Sequence, residues 1–362
     1  MADTLLIRAL KSQPKQLTLC NKNLVKIPRA IGKLDCICQL QLKNNKIKKL
    51  PKELCHLFQL QVLNLGNNDL DEFSPILQHL HSLEKLHLFG NNISHIDSSS
   101  LNGFRSLTFL NLNGNKLKQL PPEICNLISI EHLSIDNNEL IELPIEFCAL
   151  TTLEEFHAAG NKLTSLPLEV GYLVSLEKLH LQRNRIRELP EGLGKCYNLR
   201  YVDVAANELR IFPTELSSLP LKELYCEENP LLQNMPVHSV QEEEVLSLKE
   251  LSARYIMKEL KDSDEVSWDE DSSSDEDPEE WSYMRKAIRH YPDIRTMLAQ
   301  SSKCAVCGDS FLNTWLECVK FVDAKEDLKL TSISGSIPVR ALLCSYRCFN
   351  AAGHNYYGVA FP

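Results

Sequence analysis

Four cysteines in two close pairs carry the clearest chemistry in this sequence. Cys304-Ala-Val-Cys307-Gly308 and Cys344-Ser-Tyr-Arg-Cys348 are separated by 36 residues. In a reducing compartment two such pairs supply the four thiolates of a tetrahedral zinc site, with Cys304, Cys307, Cys344 and Cys348 as the ligands. Four protein ligands close the coordination sphere, so the expected metal is structural rather than catalytic. Cys318 and His354 are alternative donors. Cys318, however, lies in Trp315-Leu-Glu-Cys-Val-Lys-Phe-Val322, which alternates like a strand and makes it a core residue. A redox pair or disulfide is the competing reading.

Elsewhere the chemistry is thin. Gly192-Leu-Gly-Lys195 superficially resembles a phosphate loop but lacks its full spacing, and neither G-x-S-x-G nor H-E-x-x-H occurs. His87, His157 and His180 recur at one outward strand position, the last two about 5 Å apart on adjacent strands. With no third ligand evident they read as solvent-facing polar residues. No enzyme is expected.

The elements that position these residues come from a repeat. L-x-L-x-x-N-x-L returns with asparagines at 45, 68, 91, 115, 138, 161, 184, 207 and 229, and a further copy at Leu17-Thr18-Leu19 carries Lys22 in place of asparagine. The period of about 23 residues is that of a leucine-rich repeat, so the expected class is α/β: a solenoid of about ten repeats. Each L-x-L is a short strand with its leucines inward and residues such as Asn64 and Asn111 outward. The recurring asparagine is expected to satisfy buried backbone groups, so Asn68 and Asn138 read as structural rather than binding residues. The return path, as in Pro51-Lys52-Glu53-Leu54 and Pro121-Pro122-Glu123-Ile124, predicts a short helix opened by proline. Ile96–Phe104 lacks the proline and is one residue longer, and Ala158 replaces a strand leucine.

Solenoids offer a long concave sheet suited to macromolecular partners. The outward positions here form an aromatic and histidine-rich path of His87, Phe89, Phe109, His132, His157, His180, Tyr201 and Tyr225. Exposed aromatics on a rigid sheet are typical interface anchors. The competing reading has Phe89 and Phe109 merely covering each other.

The formal net charge is −9, unevenly spread. Residues 262–280 hold eleven acidic residues and no basic one, whereas residues 1–60 hold twelve Lys/Arg against three Asp/Glu. The lysine-rich end (Lys43, Lys46, Lys48, Lys49, Lys52) lacks interleaved aromatics and reads as a solvated face, which makes nucleic-acid binding a secondary option. The acidic stretch reads as a disordered linker, with Ser272, Ser273 and Ser274 each three residues before an acid, a spacing that suits casein kinase 2. No apolar run is long enough for a signal or a membrane span, and Cys55, Cys125 and Cys148 read as core-filling thiols. The expected location is cytoplasmic.

The expected organisation is therefore a solenoid over 1–236, a capping helix over 237–261, an acidic linker over 262–280 and a four-cysteine zinc module over 281–362. Val245, Leu248, Leu251, Tyr255 and Ile256 fall on one helical stripe, taken as the face that covers the last repeat, with partner docking as the alternative.

The proline-containing 23-residue repeat resembles intracellular leucine-rich repeat proteins of the Ras-scaffold and plant Ras-group type. C-A-V-C-G and L-C-S-Y-R-C look like the two knuckles of a treble-clef finger, though their separation is longer than usual there. Repeats, the helix L-K-E-L-S-A-R-Y-I and the terminal cysteine module together are similar to one small family of leucine-rich repeat-containing proteins. That resemblance implies a protein-interaction scaffold or adaptor. A related member looks like a substrate receptor for a cullin-type ubiquitin ligase, which implies cullin-ligase components as candidate partners.

Overall fold

The structure is a computed structural model that describes residues 2–232, 248–262, 291–299, 301–312, 316–333, 335–349, 351 and 353–358. Most of the acidic stretch, including Ser272, Ser273 and Ser274, lies outside the described residues. The chain divides into two compact units, residues 1–231 with 323–336, and residues 232–322 with 337–362.

The first unit opens with helix α1 (Ala2–Ser12), which the repeat pattern did not announce. Ala9 is buried, and just beyond the helix Gln13 Nε2 donates to the Lys33 carbonyl at 3.0 Å. Ten three-residue strands follow. They are β1 (Gln16–Thr18), β2 (Gln39–Gln41), β3 (Val62–Asn64), β4 (Lys85–His87), β5 (Phe109–Asn111), β6 (His132–Ser134), β7 (Glu155–His157), β8 (Lys178–His180), β9 (Tyr201–Asp203) and β10 (Glu223–Tyr225). They form one parallel sheet in sequence order, with Leu40, Leu63, Leu86, Leu110 and Leu133 in register and buried. The return segments are 3₁₀ turns. Pro51 and Pro190 stand just before them and Pro122 at the first position, where proline's missing N–H costs nothing.

Stacking buries backbone polar groups at every strand end, and the asparagine column answers them. Asn138 Nδ2 donates to the carbonyls of Leu112 (3.0 Å) and Ile135 (2.9 Å), and its Oδ1 accepts the Leu117 N–H at 3.1 Å. The same three links recur at Asn68 and Asn184, and each asparagine stitches its own repeat to the preceding one. One residue earlier the backbone is left-handed, at Asn44, Asn67, Asn137, Gly90 and Gly160, but also at Ala206 (φ 54°) and Glu228 (φ 56°).

Gly192 and Gly194 are packing glycines. A Cβ on Gly192 would lie 2.4 Å from the Leu168 carbonyl oxygen, and one on Gly194 would lie 2.2 Å from Glu215 Cβ. Among the three return-path thiols Cys148 is buried, whereas Cys55 and Cys125 are only half-buried. At the last strand, Ser332 Oγ accepts the Leu224 N–H (3.1 Å) and donates to the Leu224 carbonyl (2.8 Å), satisfying part of the open edge of β10.

The second unit contains α2 (Leu248–Asp262), α3 (Pro292–Ala299), β11 (Ser302–Lys303), β12 (Ser310–Phe311), β13 (Leu316–Asp323), β14 (Ser336–Leu343), α4 (Tyr346–Phe349) and β15 (Tyr356–Gly358). β11 and β12 form an antiparallel pair, and the other three strands lie in the order β14-β13-β15. Helix α2 belongs to this unit, where Ala253 and Met257 pack with Leu298 of α3. No helix among the described residues is long and apolar enough to cross a membrane.

Asn138→Ala strands the buried Leu117 N–H, while the Leu112 and Ile135 carbonyls keep the amides of Asn115 and Asn161, so it is expected to lower unfolding free energy by about 1–3 kcal/mol in urea titration. Ala206→Gly relieves a left-handed alanine and is expected to raise it by about 1 kcal/mol. An unchanged urea midpoint in either variant contradicts the corresponding assignment.

Candidate metal centre and interaction surface

Cys304 and Cys307 lie on the tight turn between β11 and β12. The Cys304 N–H donates to the Asp309 carbonyl and the Gly308 N–H to the Cys304 carbonyl, both at 2.9 Å, with Gly308 at φ +74°. Strand β14 delivers Cys344 at its end, and Cys348 follows on α4. A knuckle, a paired hairpin and a helix carrying the last of the four cysteines make a treble-clef-like module. The 36-residue interval is occupied mainly by β12, β13 and β14 with the loop between the last two.

The four sulfurs lie within 4.8 Å of one another, with Cys307–Cys344 at 3.6 Å and Cys344–Cys348 at 3.5 Å. Tetrahedral coordination with metal–sulfur bonds of about 2.3 Å needs sulfurs about 3.8 Å apart, so the set fits a metal ion. Burial pushes the Cys307 and Cys344 thiols up to about 11 and raises Cys348. Burial acts on Cys304 in the same direction, but the N–H groups of Cys307, Cys344 and Val306 more than offset it and bring that thiol to about 7.

Neither alternative donor joins the group. Cys318 is buried on β13 in the module's core, where burial pushes its thiol up to about 12. His354 Nε2 is 2.6 Å from the Phe349 carbonyl oxygen and its Nδ1 accepts the Tyr356 N–H at 3.3 Å, so both ring nitrogens face backbone groups.

Helix α2 reaches this site through an ion pair that the hydrophobic pattern concealed. Glu250 is fully buried, and its carboxylate accepts the Leu312 N–H (3.2 Å to each oxygen) and Arg254 Nε at 2.6 Å. Arg254 Nη2 then donates to the Cys344 carbonyl at 2.8 Å. The stripe read as the buried face is inverted in part, since Leu251 is 49% and Tyr255 60% exposed. A buried carboxylate beside an arginine four residues later leaves no trace in hydrophobic periodicity, because both residue types normally face water.

On the exposed sheet face of the first unit the aromatic path is continuous over each half. His87 stands edge-on to Phe89 (6.4 Å between centroids) and 4.9 Å from Phe109, which lies 6.1 Å from His132. His87 therefore separates the two phenylalanines. Phe89 rests on Gly66, where a Cβ would fall 2.4 Å from its ring, and Lys43 Nζ lies 5.1 Å from the ring centroid. Further along, His157 stacks on His180 at 4.1 Å, His180 meets Tyr201 at 4.6 Å, and Tyr201 meets Tyr225 at 5.5 Å.

The halves are joined by a residue that sequence reading missed. Glu155 Oε2 lies 3.3 Å from His132 Nδ1 and 3.8 Å from His157 Nε2, and its other oxygen pairs with Lys178. Burial raises the Glu155 carboxyl, but the Lys178 ammonium and the two imidazoles outweigh it, so the net displacement is downward. Counting one strand position across the repeat register would have found it. Burial, with His157 alongside, pushes His180 down to about 4, and burial with Lys85 and Lys43 lowers His87.

The leucine-rich repeat family model matches residues 59–80, 82–104, 106–127 and 175–196. Leucine-rich repeat-containing protein 69 of Xenopus laevis is 60% identical over 360 residues, covering 99% of each chain. The chain belongs to the leucine-rich repeat-containing protein 69 family. The human protein of that name is 40% identical over 140 residues, an alignment spanning 39% of this chain and 35% of the human one. Among solved structures, a TDR receptor is similar at 27% identity and TM-score 0.51, over 63% of this chain and 45% of the receptor. The functional domain of InlJ from Listeria monocytogenes is similar in fold at 24% identity and TM-score 0.51, over 60% of this chain and 45% of that one.

Two outcomes follow for these sites. Purified full chain is expected to carry one metal ion by elemental analysis, Cys304→Ser and Cys344→Ser to lose it, and Arg254→Gln to release it faster to a chelator. Metal-free, cooperatively folded wild type removes the assignment. For His180, a folded pKa of about 4 against 6.5 means that its stabilising contribution is complete above about 6.5 and is lost as pH falls towards 4. His180→Phe keeps a ring in the stack and is expected to flatten the pH dependence of the urea midpoint in that window.

Proposed function

We propose that this chain is a non-enzymatic protein-interaction scaffold that captures a protein partner on the concave face of its repeat sheet. The observation that carries the reading is the half-buried set of rings from Phe89 to Tyr225, all but Phe89 in two outward register columns of a sheet whose inner face is fully packed. Rings held at fixed spacing on short strands lose little freedom when a partner covers them, which is what makes aromatic anchors effective. Among the described residues the titratable groups of this face do not converge on a catalytic arrangement.

In the same reading the four-cysteine module holds a structural zinc ion through Cys304, Cys307, Cys344 and Cys348. All-sulfur ligation in a closed tetrahedron suits that metal and leaves no open coordination position. When bound, the ion would supply cross-linking free energy to a module whose three-stranded sheet is small. The sharper role within this reading is substrate recognition for a cullin-type ubiquitin ligase, in the cytoplasm.

Affinity purification of the wild type beside a Phe89→Ser, Phe109→Ser, Tyr201→Ser variant tests the surface. The expected result is loss of the captured partner with an unchanged circular-dichroism spectrum and unfolding midpoint. Undiminished capture by the folded variant moves the interface off this face. Cullin and elongin subunits among the captured proteins support the ligase role, and a partner set without them favours a scaffold outside that machinery.

A further inference from the structure

The two ends of the sheet face differ in how their rings and charges are satisfied. Near the amino-terminal end, Lys43 lies over the Phe89 ring at 5.1 Å. In the middle, Glu155 is matched by Lys178. At the carboxy-terminal end Tyr201 and Tyr225 lie 5.5 Å apart with Asp203, Glu223 and Glu227 around them, and among the described residues no cation pairs with these carboxylates.

The carboxylates and rings at this end already act on one another. Tyr225 Oη donates to Glu223 Oε2 at 2.9 Å, and that bond, with burial and the Glu223 charge, raises the tyrosine's pKa. Burial raises Tyr201, with Asp203 adding to it, and burial raises Asp203, with Glu227 adding to it. Several negative charges thus stand beside two electron-rich ring faces, with no cation among the described residues paired to them. Burial alone does not select what fits there, but charge does: a guanidinium or ammonium meets both the ring quadrupoles and the carboxylates.

We propose that the Tyr201–Tyr225 end of the sheet is a subsite for an arginine or lysine side chain of a protein partner. This rests on the concave-face reading and adds the partner's chemistry and direction. Lys43 and Lys85 are the charged residues on the face of β2–β4, so the bound segment runs with its basic residue over β9–β10 and any acidic residue over the opposite end.

The test titrates the full chain with N-acetylarginine amide and with its uncharged isostere N-acetylcitrulline amide, following the ring resonances of Tyr201 and Tyr225. Saturable shifts with arginine are expected, with citrulline weaker by about three- to tenfold. The combined variant Asp203→Asn, Glu223→Gln, Glu227→Gln is expected to erase that difference, and raised salt to shrink it. Equal responses to the two probes in the wild type overturn the proposal without needing a variant, as does an unaltered preference in the variant. The concave-face reading fails separately. Peptides selected from a random displayed library that compete with the captured partner but show no basic enrichment leave the surface standing and remove this subsite.

Discussion

Stacking repeats against one another forces backbone carbonyls and amides into a dry interior at every turn, and the buried asparagine column is what makes that tolerable. A side-chain amide offers donors on nitrogen and an acceptor on oxygen, so one residue can answer groups on two repeats at once. Asn68, Asn138 and Asn184 each do so, with contacts of 2.8 to 3.1 Å. The hydrophobic ladder that includes Leu63, Leu86 and Leu110 is fully buried, but its attraction is not directional. Hydrogen bonds of fixed geometry set the register of the strands, and that register lines up the rings on the opposite face.

The exposed face inherits its order from that constraint. Because Phe109 and His132 are register partners, as are His157 and His180, side chains far apart in sequence become neighbours about a strand spacing apart. His180 remains neutral because its stack excludes water, and Glu155 remains charged because Lys178 and two imidazoles surround it. The same sheet therefore carries an ion-paired carboxylate in its middle and, at its carboxy-terminal end, carboxylates that among the described residues have no paired cation.

The second unit is organised differently. Among its described residues the strands are few, and polar links join a helix to the segment that carries the four thiols. Glu250 and Arg254 are costly to bury singly, but as a pair that also binds the Leu312 amide and the Cys344 carbonyl they tie a helix to the cysteine cluster. A helix chosen for its polar face gives up part of its apolar stripe to solvent, which explains the exposure of Leu251 and Tyr255.

The sequence alone determined the features that recur or that depend on residue type. Asparagines every 23 residues or so specify a leucine-rich repeat, alternation specifies which strand residues face outward, and the spacing of Cys304, Cys307, Cys344 and Cys348 specifies a four-sulfur cluster. Each is a local rule applied at fixed intervals, so no long-range information is needed to read it. Tertiary structure alone decided where helix α2 packs, that Ser332 meets the β10 edge, that Glu155 bridges two histidine groups, and that His354 is engaged by the backbone. These depend on which groups remain unpaired once the repeats have stacked and the cysteine module has folded, and single-chain periodicity carries no record of that.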